Sequence, residues 1–387
     1  MLQQLIVRIQ PYESKHGGNT IESCAHWRKS FQLWVVLACL RALTWVILAV
    51  CSSRYLTPPL PQASGTIGTH ILTALLSDPA DNFTVTILTR PDSTSTFPVH
   101  PSVTVVRVAH DDLPGLTDAF RGHDAVVHVG GIPSIASQPL MIEAAVAAGV
   151  QRFVLNEFAN SPITQVGLSE TQRFRKPRYD VADIAKRTAA EHDGFSWTGL
   201  CVGNIIDLSL LRYPQFGIDI KERRVKYTDE GRGRFTGVTL PDIGVAVRGV
   251  LKAPGETKNR FCHVRSVETD QVGIVGALER LQGCEYEVER ESSEVLYERG
   301  REGFAKGDRS GFVDLVIVQL FGRVEGKGSS VLIGREESDN QLLGVKEKDV
   351  EEIVAGVLES LGEAADGNEG GRAGGKDVLG EARRTLG

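Results

Sequence analysis

The sequence predicts an α/β fold built on a doubly wound parallel sheet, and three observations carry that reading. Short apolar, β-branched runs recur at 85–89 (VTILT), 103–108, 125–129 and 152–155 and read as buried strands. Helix-like segments separate them at 68–76, 116–121 and 135–149, the last an Ala-rich stripe closed by Gly149. Strands that alternate with helices imply parallel pairing through right-handed crossovers. Finally, 387 residues at 41% hydrophobic and 24% charged make a globular composition with material for one large or two modest domains.

In chain order, residues 1–62 form an atypical apolar extension. The run 31–51 (FQLWVVLACLRALTWVILAVC) is long enough to cross a bilayer, with Arg28 and Lys29 before it, but Arg41 in its middle is costly in lipid. Residues 57–62 (TPPLPQ) fit neither helix nor strand. Three readings stand open: a membrane anchor, a loosely attached apolar extension, or a misassembled start that has displaced the first strand of the sheet. On the third, residues 45–50 (WVILAV) are apolar enough to stand in as the central strand, with 51–62 looping out. The expected location is cytoplasmic, or membrane-anchored if 31–51 is a true anchor.

The segment 63–68 (ASGTIG) runs straight into a helical pattern. A dinucleotide-binding turn needs glycines there. The turn is tight, the backbone must approach a pyrophosphate, and the helix N-terminus offers unpaired N–H groups and a positive dipole end. Gly65, Thr66, Ile67 and Gly68 fill that role, with Gln62 standing where a first glycine belongs. About 20 residues on, where this fold meets the adenosine ribose, the next strand ends in Arg90; a carboxylate there would take a 2′-hydroxyl, whereas a guanidinium binds a 2′-phosphate. Arg90 therefore favours NADP over NAD, tempered by Asp92 nearby. The fourth strand ends in Gly130 and Gly131, small residues where the nicotinamide side passes. The fifth ends in Asn156, Glu157 and Phe158 at the carboxyl edge, where doubly wound sheets bind ligands.

Other classes recede. A net charge of -6 leaves no global basic footprint, so direct nucleic-acid binding is not expected. The six cysteines are scattered without a C-x-x-C pair, and neither H-E-x-x-H nor a P-loop occurs, so no metal site is expected. His123 and His128 read as core or strand-edge histidines, while Asn204 and Asp207 are cleft residues or helix caps.

The order ASGTIG, TRPDS, AVVHVGG, IEAAVAAGVQRFVLNEF and FSWTGLCVGNIIDLSL resembles the NmrA-like and isoflavone-reductase-like branch of atypical short-chain dehydrogenases, fungal members above all. The likeness covers residues 63–361. It implies a Rossmann-type domain that binds NADP (NADPH), with a smaller C-terminal substrate-cleft region, and leaves 362–387 as a Gly-rich disordered tail. Short-chain dehydrogenases use Tyr-x-x-x-Lys, in which the ammonium lowers the phenol pKa. Tyr179 is instead followed four residues later by Asp183. The lone catalytic Lys of the isoflavone-reductase-like proteins falls on Arg178, which cannot trade protons near neutrality but can hold a substrate oxygen, and Lys176 is the fallback acid. The resemblance thus implies an NADPH-dependent oxidoreductase acting on a small metabolite. The alternative is a non-catalytic NAD(P)-sensing regulator with a protein partner.

Overall fold

Strand β1 is Val46–Ser52, β2 Phe83–Thr89, β3 Val103–Arg107, β4 Ala125–Val129, β5 Arg152–Ala159 and β6 Ser196–Cys201. The strands of this sheet alternate their side chains between two buried faces. Val85, Ile87, Val127, Val129 and Val154 enter one core, while Leu88, Val126, Phe153 and Leu155 enter another. A sheet apolar on both faces has to be covered on both. On the first face lie α1 (Thr66–Leu76), through Ile71, Leu72 and Leu75, and a later helix, Leu240–Lys252, through Ile243 and Val247. On the second lie α2 (Leu113–Phe120), α3 (Gln138–Ala148) and α4 (Ser169–Glu191). The computed structural model describes residues 46–52 (backbone), 66–130, 132–159, 169–211, 216–322 and 332–366.

Small strands and helices follow: β7 (Asn204–Ile205), α5 (Ile206–Leu211), β8 (Ile218–Asp219), β9 (Arg224–Thr228), β10 (Phe235–Val238), then α6, the Leu240–Lys252 helix. After these come α7 (Pro254–Thr257), β11 (Arg260–His263), β12 (Val267–Thr269), α8 (Gln271–Gln282) and β13 (Glu287–Glu291). Helices α9 (Ser293–Ala305), α10 (Arg309–Phe321), α11 (Asn340–Leu343) and α12 (Val350–Asp366) complete the order.

Among the described residues the main sheet has seven strands in the order β11-β6-β5-β4-β1-β2-β3. The pairs β2–β3, β4–β5, β5–β6 and β6–β11 are parallel, as the alternating pattern predicts. The central slot between β4 and β2 is taken by β1, the segment expected to stand in for a first strand, although Trp45 lies outside the described residues. Its direction differs from that of the parallel pairs around it: β1 is antiparallel to both neighbours. Val46 pairs with Val129 at the carboxyl edge, and Ser52 pairs with Phe83 at the amino edge. An empty slot would leave two rows of N–H and C=O groups unpaired, and an antiparallel ladder satisfies them as well as a parallel one. The strand therefore ends at the amino edge, and residues 53–65, between it and α1, lie outside the described residues.

Beyond β6 the chain builds a second core. Phe216, Phe235 and Phe321 meet edge to face with ring centroids 5.3 Å apart, and α8, α10 and α12 close around them. Helix α12 continues to Asp366, so helix extends past residue 361 into the stretch read as tail. The end of the apolar run 31–51 is strand β1, and no helix among the described residues is long and apolar enough to cross a membrane; residues 1–45, and with them most of the run, lie outside the described residues.

Candidate functional site

The parallel strands bring their carboxyl ends to one edge, and the candidate residues fall along it. At the end of β2, Thr89 is buried with its hydroxyl lacking a partner among the described residues. Next to it, Arg90 keeps a buried Nε that makes no hydrogen bond there; Asp92 Oδ1 lies 3.8 Å away, beyond hydrogen-bond reach. The loop itself is held by a residue the sequence did not single out. Arg107, at the end of β3, donates from Nη1 to the Ser93 carbonyl at 2.7 Å and to the Arg90 carbonyl at 3.4 Å. The backbone of the loop is pinned by Arg107, while the Arg90 side chain meets only Asp92, at ion-pair distance. Helix α1 begins at Thr66 with no acidic residue in its first turn, so its dipole end is not neutralised by a carboxylate of its own. Thr66, Ile67 and Gly68 are at this end, whereas Gly65 lies outside the described residues, as does Gly131.

Gly130 and Asn156 meet: the Asn156 side-chain amide donates to the Gly130 carbonyl at 2.7 Å. The buried Gln138, first residue of α3, accepts from the Asn156 backbone N–H at 2.9 Å and ties β5 to the helix. Phe158 packs on the α1 and α6 face. Glu157, one residue back, therefore points to the opposite face, under α4.

There the structure assembles a constellation the sequence reading split between roles. Glu157 is 2% exposed, and its Oε1 has no hydrogen-bond partner among the described residues. Burial pushes its carboxyl up to about 7 against the opposing pull of Arg178 and Arg175 on α4. Burial also lowers the Arg178 pKa, while Glu157 raises it and Arg175 lowers it further. The adjacent Tyr179 phenol is raised by burial, with Arg175 facing its oxygen in opposition. Arg178 Nε and the Tyr179 O–H are buried atoms without hydrogen-bond partners among the described residues. Pro177 sits inside α4 between Lys176 and Arg178 and removes one rung of the helix ladder beside these side chains. Lys176 stands apart: it is exposed, with its ammonium 2.6 Å from Asp180 Oδ1 one helical turn on.

Other candidates have structural partners. Both carboxylate oxygens of Asp207 accept backbone N–H groups, from Leu208 at 2.8 Å and Leu240 at 2.9 Å, so it anchors the start of α6. Asn204 accepts from the Ser209 hydroxyl. His123 bridges Thr86 Oγ1 at 2.9 Å and the Phe120 carbonyl. His128 is fully buried, neither ring nitrogen has a partner among the described residues, and burial drives it down to about 3, which leaves it neutral. Tyr179 entered the sequence reading only as a failed Tyr-x-x-x-Lys pair, although Arg175 stands four residues before it. Their spacing of four on one helix face was the available signal.

A largely parallel sheet covered by helices on both faces, with no acidic residue in the first turn of α1, is the architecture of dinucleotide-binding proteins. Residues 63–213 match the family described as NAD(P)H-binding. The chain is 38% identical over 305 residues to the oxidoreductase poxI of Penicillium oxalicum, covering 79% of this chain and 94% of that one. The chain belongs to this NAD(P)H-binding oxidoreductase family. Its fold is similar to those of isoflavone reductase (TM-score 0.58, 18% identity, 75% of this chain and 95% of that one) and of AtPrR2 with NADP+ and (+)pinoresinol (TM-score 0.59, 19% identity, 75% and 95%).

Proposed function

We propose that the protein is an NADPH-dependent reductase of a small carbonyl-bearing or enone metabolite, with its reaction centre between the ends of β4 and β5 and the face of α4. The observation that carries this reading is the buried Glu157, whose Oε1 has no hydrogen-bond partner among the described residues, beside Arg178 and Tyr179. A purely structural ion pair would satisfy its own polar atoms, whereas among the described residues these remain open, at the edge where doubly wound sheets bind ligands. The orphaned Arg90 Nε fits a 2′-phosphate, and the unneutralised start of α1 at Thr66 and Ile67, with Gly65 and Gly68, fits a pyrophosphate. Gly130, Gly131, Asn156 and Phe158 are assigned to the nicotinamide side.

When bound, NADPH supplies a hydride to an electrophilic carbon of the acceptor. Arg178 gathers the negative charge that develops on the acceptor oxygen, since it stays protonated and presents N–H donors in a desolvated place. Glu157, protonated below about 7, gives the balancing proton and recovers one from water. Lys176 has no part in this, because its ammonium is exposed and held by Asp180. A non-catalytic sensor has no need of a carboxyl poised near neutrality, and this favours chemistry over sensing.

The test is oxidation of NADPH by purified protein with a panel of enones and aldehydes, wild type against Glu157→Gln and Arg178→Met. Each variant should lower kcat/KM about tenfold to a thousandfold, the loss typical of a removed proton donor or charge stabiliser. The wild-type rate should fall as pH rises through about 7. Tight NADPH binding with no turnover on any acceptor would count against the enzyme and for a sensor.

A further inference from the structure

The open atoms of the α4 cluster share one property. Arg178 Nε and the Tyr179 hydroxyl are both donors in want of an acceptor among the described residues, and Glu157 Oε1 is a third open site. Near neutrality Glu157 holds a proton for much of the time, so it too can donate. The groups interact electrostatically with one another: Glu157 acts on Arg178 and on Tyr179, and Arg178 acts on both. Yet Glu157 Oε1 and Arg178 Nε do not bond to each other, so the pair has not closed into a salt bridge through those atoms. Among the described residues the carboxylate that acts on Arg178 is Glu157 alone. The segment joining β5 to α4, residues 160–168 (NSPITQVGL), contains no acidic residue to supply another.

Arg178 Nε can only donate and the Tyr179 hydroxyl can donate, so the two suit a ligand group that only accepts, and an ionised carboxylate is such a group. It would also supply negative charge to a buried guanidinium, and a planar carboxylate matches guanidinium geometry. We propose that the acceptor reduced by this protein carries a carboxylate next to its reducible group, held by Arg178 and Tyr179. This rests on the reading of the α4 cluster as the reaction centre. A phosphate of the cofactor has the same accepting chemistry, so the experiment has to separate the two sources.

The probe is cinnamate, with methyl cinnamate as its neutral twin, measured by calorimetry on the cofactor-free full chain and again with NADPH present. Cinnamate should bind at least about tenfold more tightly than the ester, the equivalent of one charge-assisted hydrogen bond. Arg178→Met should remove that preference, Arg178→Lys should restore part of it, and Tyr179→Phe should weaken it. NADPH affinity should be unchanged in all three. Equal binding of acid and ester by the wild type would overturn the proposal, and that comparison does not depend on any variant folding. The proposal would equally fall if Arg178→Met weakened NADPH about tenfold and inorganic phosphate displaced cinnamate, because the anion would then be the cofactor's. Arg178-dependent cinnamate binding by a protein that takes up no NADPH would keep the carboxylate site but overturn its assignment to a reduced acceptor, along with the reductase reading.

Discussion

Glu157 lies beside two guanidiniums, yet burial outweighs them and its carboxyl titrates near 7 rather than at its ordinary 4.5. The folded state therefore holds this proton more tightly than the unfolded chain does. The cost of ionising it is absent below 4.5, grows as pH rises, and is complete above about 7. Glu157→Gln keeps the shape and removes the charge. In urea unfolding the variant should match the wild type below pH 4.5 and gain up to roughly 3 kcal/mol above pH 7. An activity loss accompanied by a stability gain is what a residue kept for chemistry would show. His128 works on the other side: its folded pKa near 3 lies below the ordinary 6.5, so stability present above 6.5 is lost as pH falls toward 3. His128→Leu should flatten that acid-side loss in the same experiment. At this scale the sequence disclosed residue type and strand position, and so placed Arg90, Asn156 and Glu157 at the carboxyl edge. It could not disclose which atoms would be left without partners. Arg107 and Gln138 were missed because their roles depend on loops and strand ends that meet only in three dimensions.

Elements place these residues, and two packing points decide where. Gly244 on α6 lies so close to α1 that a Cβ there would collide with the His70 carbonyl. Gly244→Ala should cost about 1–3 kcal/mol, measured by thermal unfolding, and weaken NADPH uptake by displacing the end of α1 that faces the phosphates. The second point is β1. A strand paired on both sides spends its N–H groups on one neighbour or the other, so no position spares a proline. Ala49→Pro should therefore lose about 3 kcal/mol or more if β1 fills the centre of the sheet, and should be silent in urea titration if it does not. The parallel strands and their helices were legible because period-two burial and helical stripes are local properties of the chain. The direction of β1 was not, since an apolar run fits a central slot in either sense and only the connection on each side distinguishes them.

For the whole molecule, the carboxyl edge gathers pieces from distant parts of the chain: α1, the Arg90 loop pinned by Arg107, the Gly130–Asn156 contact and the face of α4. A dinucleotide that binds the folded chain along that edge, as proposed, and not the unfolded chain adds its binding energy to the stability of the fold. At a concentration about a hundredfold above its dissociation constant, NADPH should stabilise the fold by about 2.7 kcal/mol, which in a chain of this size is a rise in Tm of roughly 3 °C. The reduced non-phosphorylated dinucleotide NADH should give a smaller rise at the same concentration, because the Arg90 guanidinium has no 2′-phosphate to meet. Arg90→Ala should bring the two shifts together by lowering that of NADPH, while leaving the unliganded Tm almost unchanged, since Arg90 Nε makes no hydrogen bond among the described residues. Equal shifts for the two dinucleotides in the wild type would place the 2′-phosphate away from Arg90 and move the ribose site off the end of β2.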